Sequence, residues 1–161
     1  MRRGRRIGVD VGDVRVGVAQ CDPDGILATP GATYRRMEIS YRARESRGAH
    51  RVDIREGDAI EVIVGLPLNM DGSEGGAAAK ARAWARKLAR RIAPVGVRMV
   101  DERLTTVAAH AALTEAGREI RRQRDIVDQA AASIILNTAL ETERRTGRAP
   151  GQGVGIRDGD T

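Results

Sequence analysis

The stretch RRIGVDVGDVRVGVAQ, residues 5–20, decides how the chain begins to fold. Residues 7–9 and 14–19 are apolar runs joined at Gly12-Asp13, the sequence signature of a β-hairpin. Asp10 breaks the apolar pattern near the end of the first of these strands. A carboxylate there either turns toward Gly12 in a local Asx-turn or faces a site built by the rest of the chain.

At 161 residues the chain is one domain of ordinary size, and a domain of roughly 150 residues buries about 70% of its unfolded surface. It has no Phe, a single Trp (Trp84) and two Tyr, so the core has to be packed from Val, Ile, Leu and Ala. Twenty-eight basic residues against 22 acidic ones give a net charge of +6, which suits a polyanionic partner such as nucleic acid. The alternative is an Arg-rich composition of the kind a GC-rich genome encodes. Cys21 is the only cysteine, which rules out an internal disulfide and a cysteine-rich zinc site and predicts a reducing, cytoplasmic setting. The opening MRRGRR leads into no long apolar run, because Asp10, Asp13 and Arg15 interrupt it. Neither a signal peptide nor a membrane span is expected, and no membrane partner.

Working outward from the hairpin, Asp22-Pro23-Asp24-Gly25 reads as a turn into a third short strand near residues 26–28. Residues 35–58 are rich in Arg and Glu and mark a helix only poorly. AIEVIVGLPLN, residues 59–69, is near-continuous apolar sequence, the pattern of a central strand covered on both faces. Ser73 is the expected N-cap of a helix whose inner stripe is Ala81, Trp84, Ala85, Leu88 and Ile92 and whose outer face carries Arg82, Arg86, Lys87, Arg90 and Arg91. Pro94 stops it, and VGVRMV, residues 95–100, forms a fifth strand running into DERLTT. Thr105 or Thr106 caps a third helix ending at Gly117, and a last helix runs from near Asp125 to about Arg145. The Gly-rich segment 146–161 is expected to be a disordered tail behind a single domain at 1–145. The class is α/β: an antiparallel meander leading into a parallel portion, five strands in all, flanked by helices.

Three acidic positions stand out. Asp10 and the pair Asp101-Glu102 lie at the carboxyl ends of strands, where open α/β sheets gather ligands. Asp128 is three, four and seven residues before Ala131, Ala132 and Ile135, which puts it on the inward stripe of the last helix. If that helix crosses the strand ends the carboxylates converge, and like charges that close call for a divalent cation, Mg²⁺ or Mn²⁺. Such a site activates water against a phosphodiester. The bland readings are a first-turn acid complementing the helix dipole at Asp128 and a surface ion cluster of Asp101-Glu102 with Arg103. Asp13, Asp71 and Asp125 read as turn or cap residues, and His50 and His110 as non-catalytic. GLPLNMDGSEG, residues 65–75, offers backbone amides for a phosphate but lacks the Lys-Ser/Thr end of a P-loop; its alternative is a plain tight connection. Arg82, Arg86, Arg90, Arg121, Arg122 and Arg124 are the candidate nucleic-acid contacts.

IGVDVGDVRVGVA, VIVGLPLNMDGSEG, DERLTT and VDQAAASIIL, in this order and spacing, resemble the RuvX/YqgF family over about residues 5–142. The resemblance implies a ribonuclease H-like fold related to Holliday junction resolvases, and a metal-dependent nuclease maturing the precursor of small-subunit ribosomal RNA. Its acidic residues fall on Asp10, Asp101, Glu102 and Asp128. Glu102 is favoured over Asp101 as a metal ligand alongside Asp10 and Asp128, with Asp101 a ligand or an orienting group. The Arg-rich segment 35–57 and the Gly-rich tail depart from the family pattern.

The leading expectation is therefore an endonuclease acting on ribosomal RNA precursor. A resolvase of branched DNA is the alternative; that activity needs a homodimer, whereas an RNA-trimming enzyme can be a monomer or a homodimer. A non-catalytic nucleic-acid-binding module is the second class. An actin-like kinase, which also opens on an Asp-containing hairpin, needs two lobes and more residues than these.

Overall fold

A computed structural model describes residues 1–13, 15–35, 59–103 and 124–155, with side chains except at 31–35 and 124–128. Its strands are β1 (Arg5–Val11), β2 (Arg15–Cys21), β3 (Ala28–Arg35), β4 (Ala59–Leu66), β5 (Gly96–Asp101) and β6 (Gln152–Gly153). Among the described residues two helices accompany them, α1 (Gly76–Ile92) and α2 (Arg124–Thr146). The six strands form one sheet in the order β3-β2-β1-β4-β5-β6. β1, β4 and β5 run parallel, while β2 and β3 extend the sheet antiparallel on one side and β6 does so on the other.

The pleat sorts the aliphatic residues into two layers. Ile7, Val9, Val16, Val18, Val62, Val64, Val97 and Met99 pack under Ala81, Trp84, Ala85, Leu88 and Ile92 of α1. Ala19, Cys21, Ile63 and Val100 meet Ala132, Ile135, Leu136, Ala139 and Leu140 of α2 on the other face. The α1 stripe is the one the residue spacing predicts; α2 buries Ala132 and Ile135 of its expected stripe, while Ala131 is only half-buried. A Cβ on Gly8 would stand 2.7 Å from the Leu136 Cβ and 2.8 Å from the Ala132 carbonyl oxygen, so the bare glycine is what lets α2 lie down on β1.

The expected five-stranded sheet has a sixth member, and the tail is not disordered over residues 146–155. Gly147, at φ +69°, ends α2 with its amide on the Glu143 carbonyl at 2.8 Å. Arg98 then donates through Nε to the Pro150 carbonyl at 2.5 Å and through Nη2 to that of Gly151 at 2.8 Å. Gln152 and Gly153 pair with Met99 and Arg98, and Val154 N–H reaches the Val97 carbonyl at 2.8 Å. Backbone bonds made by two glycine-flanked residues leave no side-chain pattern to read. The helix start also moves: α1 is capped by Gly75 with no side-chain cap, because the Ser73 hydroxyl is engaged with Asp71 at 2.5 Å instead. The expected helices within 35–58 and 105–117 lie outside the described residues, as do His50, His110, Arg121 and Arg122.

At the amino end of β1 and β4, a buried ion network takes in both ends of the fold. Arg6, 1% exposed, donates to Glu143 of α2 at 2.9 Å, and Arg2 bridges Glu143 at 2.6 Å and Glu61 at 3.0 Å. Burial alone would raise the Glu143 carboxyl; the Arg2 hydrogen bond and the two guanidinium charges outweigh it and hold the group below its ordinary range.

Candidate active site

The carboxyl ends of the three parallel strands lie at the opposite end of the sheet from that ion network. Extending the β1–β4 register one step beyond Val9–Val64 sets Asp10 level with Gly65, which pairs in turn with Val100 on β5. Because Gly8 faces α2, the pleat turns Asp10, two residues on, toward the same helix. Glu102 follows Val100 by two residues and keeps that face, with its amide donating to the Leu66 carbonyl at 3.2 Å.

Glu102 occupies space that a side chain at 65 would fill. A Cβ on Gly65 would collide with the Glu102 Oε2 and sit 2.7 Å from the Ile135 Cδ1. The sequence reading takes Gly65 only as the first residue of the 65–75 connection and misses this close approach to Glu102, although a glycine inside a buried apolar strand is itself the signal of one. Burial pushes the Glu102 carboxyl up to about 7, and the charges of Asp10 and Asp101 add to the rise. The Asp10 charge therefore acts against ionisation of Glu102 across the glycine gap.

Asp101 fares differently. Hydrogen bonding from the Arg103 side chain holds its carboxyl below the ordinary range, with Nη2 to Oδ2 at 2.6 Å. The expected surface ion cluster with Arg103 thus describes Asp101. The Asp128 side chain lies outside the described residues, and α2 brings residue 128 one helical turn ahead of Ala132. Among the described residues, no group of three or more metal-ligating side chains is gathered. The donor set that is described, hard carboxylate oxygens with the Asp10 charge acting against ionisation of Glu102, fits Mg²⁺ or Mn²⁺, which relieve that repulsion when bound.

The connection at 67–75 is the tight one. Asn69 N–H bonds the Ser73 carbonyl at 2.9 Å, Gly72 N–H the Asn69 carbonyl at 2.8 Å, and Ser73 N–H the Asp71 carboxylate at 2.9 Å. Those amides are spent within the turn. Of the candidate cationic contacts, Arg82 is paired with Glu74, while Arg86 and Arg90 are exposed on the outer side of α1. That helix covers the sheet face opposite the one Asp10 and Glu102 occupy, so these arginines and the acids stand on different layers. The Arg124 side chain lies outside the described residues. Among the described residues, no helix is long and apolar enough to cross a membrane.

Comparison with known proteins places these features in context. The family described as "RuvX: Holliday junction resolvase" matches residues 4–142. A protein of Streptomyces avermitilis named "Putative pre-16S rRNA nuclease" is 52% identical over 156 residues, covering 97% of each chain. Its counterpart of the same name in Streptomyces coelicolor is 53% identical over 156 residues, 97% of this chain and 91% of the other. Among solved structures, T. thermophilus RuvC in complex with a Holliday junction substrate superposes with a TM-score of 0.55 at 16% identity, covering 93% of this chain and 99% of that one. At that identity the likeness is one of fold: the open mixed sheet with helices is ribonuclease H-like.

Proposed function

Because the chain belongs to the RuvX family, matched over residues 4–142, we propose that it is a metal-dependent endonuclease that trims the ends of pre-16S rRNA. The observation that carries this reading is the half-buried Glu102 carboxyl past the end of β5, placed in the gap at Gly65 and raised by its partial burial and by the Asp10 charge. Two acids that resist joint ionisation at the carboxyl edge of a parallel sheet are poorly suited to a merely structural role. Asp10 and Glu102, with Asp128 from α2, would hold one or two divalent ions. When bound, such an ion supplies charge neutralisation at phosphate oxygens and a more acidic water. The chain's own contribution is to fix these carboxylates on strand and helix ends. Nucleic acid is the partner and the cytoplasm the setting, with exposed Arg86 and Arg90 available for backbone contacts away from the scissile phosphate.

The names carried by the Streptomyces relatives favour ribosomal RNA precursor. The family description favours a branched DNA junction, which requires a dimer to cut two strands symmetrically. Cleavage with Mn²⁺ or Mg²⁺ of a pre-16S fragment and a four-way junction, offered side by side to wild type and Asp10→Asn, tests both. Cutting of the RNA that is lost in Asp10→Asn is expected. Cutting of the junction alone would transfer the assignment to the resolvase. Binding without cleavage of either would leave a non-catalytic nucleic-acid module.

A further inference from the structure

At the tip of β5 three consecutive charged residues divide between two sides of the chain. Asp101 is held entirely by its neighbour two residues on: Oδ1 accepts the Arg103 backbone N–H at 3.0 Å and Nε at 3.1 Å, and Oδ2 accepts Nε at 3.0 Å and Nη2 at 2.6 Å. Three N–H groups, with that of Nε shared between the two oxygens, occupy most of the four lone-pair sites of the carboxylate and turn both oxygens toward Arg103, leaving little for an ion. The same guanidinium reaches the 67–75 connection. Its Nη1 approaches the Met70 carbonyl at 3.5 Å and lies 3.3 Å from where a Cβ on Gly72 would stand, at a φ of +86° that favours glycine. Arg103 thus ties the end of β5 to a turn already closed by its own hydrogen bonds. Between the two clamped residues, Glu102 is left to project the other way, into the gap at Gly65. An ion pair exposed at 34% and 41% adds little to stability, so its use here is orientation.

We propose that Asp101 and Arg103 are positioning residues of the acidic site: their ion pair aims the Glu102 carboxylate and anchors the 67–75 turn, and Asp101 is not a metal ligand. This rests on the metal-dependent nuclease reading and separates the two adjacent acids into one that holds an ion and one that holds the chain around it.

Electrostatics and clamping predict opposite signs, which makes the test sharp. Mn²⁺ binding is titrated calorimetrically, without nucleic acid, into wild type, Asp101→Asn, Arg103→Gln, Arg103→Lys and the double variant Asp101→Asn/Arg103→Gln. Removing a positive charge should tighten cation binding if charge alone matters. The clamp instead requires every variant to weaken Mn²⁺ binding by a similar factor, on the order of tenfold, with the double variant no worse than the singles. Arg103→Lys does not rescue, since an ammonium cannot reproduce the fork. In cleavage assays kcat falls and KM for nucleic acid holds. Unchanged or tighter Mn²⁺ binding by Arg103→Gln, with weakening only in Asp101→Asn, would overturn the proposal and make Asp101 a ligand. A raised KM at constant kcat in Arg103→Gln would do so too, making Arg103 a substrate contact. If wild type binds no Mn²⁺, the nuclease reading fails, and hydrogen exchange on the metal-free protein judges the clamp: amides in 67–75 and at 102–103 should exchange faster in Arg103→Gln and Arg103→Lys alike, and unchanged exchange refutes it.

Discussion

Glu102 gives the protein a stability that should fall as pH rises, the reverse of what most carboxylates confer. Its carboxyl goes from an ordinary 4.5 to about 7 in the folded chain, chiefly through burial and then through Asp10 and Asp101. A group with a raised folded value favours the native state while protonated, and that advantage is fully present below 4.5 and lost as pH climbs through 7. At about 1.4 kcal/mol per pH unit, ionisation costs the fold roughly 3 kcal/mol at most, less to the extent that water reaches the carboxyl. Glu102→Gln removes the titrating group and keeps its shape. Urea denaturation of both proteins in a metal chelator, across the pH range in which Glu102 titrates, isolates the effect as a difference. Wild type should match the variant at the acid end and fall below it at the alkaline end, and Mn²⁺ should restore wild type alone. A wild type that holds steady against Glu102→Gln across that range, or gains on it, refutes the account of two opposed acids across Gly65.

Gly65→Ala places a methyl on the Glu102 carboxylate and 2.7 Å from Ile135; about 1–3 kcal/mol of stability should be lost by overpacking, with a disproportionate loss of cleavage by the surviving folded protein. Glu143→Ala strands the buried Arg6 guanidinium and should cost about 3–5 kcal/mol in denaturant melts. Because that network is at the far end of the sheet, specific activity at a temperature where the variant is folded should be unchanged. Gly151→Ala puts a side chain into the Met99 carbonyl at a φ of +66°, and should cost about 1 kcal/mol or more while speeding hydrogen exchange at β6.

The parts of the fold that could be read from sequence are those whose signal is a side-chain period. Alternation in 5–20 and the apolar run at 59–66 set strands carrying Asp10 and Gly65 to one edge, and the spacing from Ala132 to Leu140 set the stripe of α2. What escaped was backbone chemistry. β6 exists through carbonyls and amides opposite Arg98 and Met99, and a glutamine between two glycines is all its sequence offers. The start of α1 was misread because Ser73 has two uses, as a cap and as a partner for Asp71, and nothing in the sequence ranks them. Asp101 and Glu102 look alike as neighbours; only the pleat, which sends one toward Arg103 and the other toward Gly65, tells them apart. The distribution of the arginines over the two layers is likewise a property of the packed sheet.

Trp84, 5% exposed on the inner face of α1, is the only indole in the chain, and no phenylalanine accompanies it. The natural fluorescence of the protein therefore watches one layer. Loss of α1 from the sheet will change its emission, whereas an ion settling between Asp10 and Glu102 acts on the other side of a β-sheet and will leave the spectrum dark to the event. An observer relying on tryptophan would record a protein that never meets its metal, so occupancy has to be followed with a reporter placed on the α2 face.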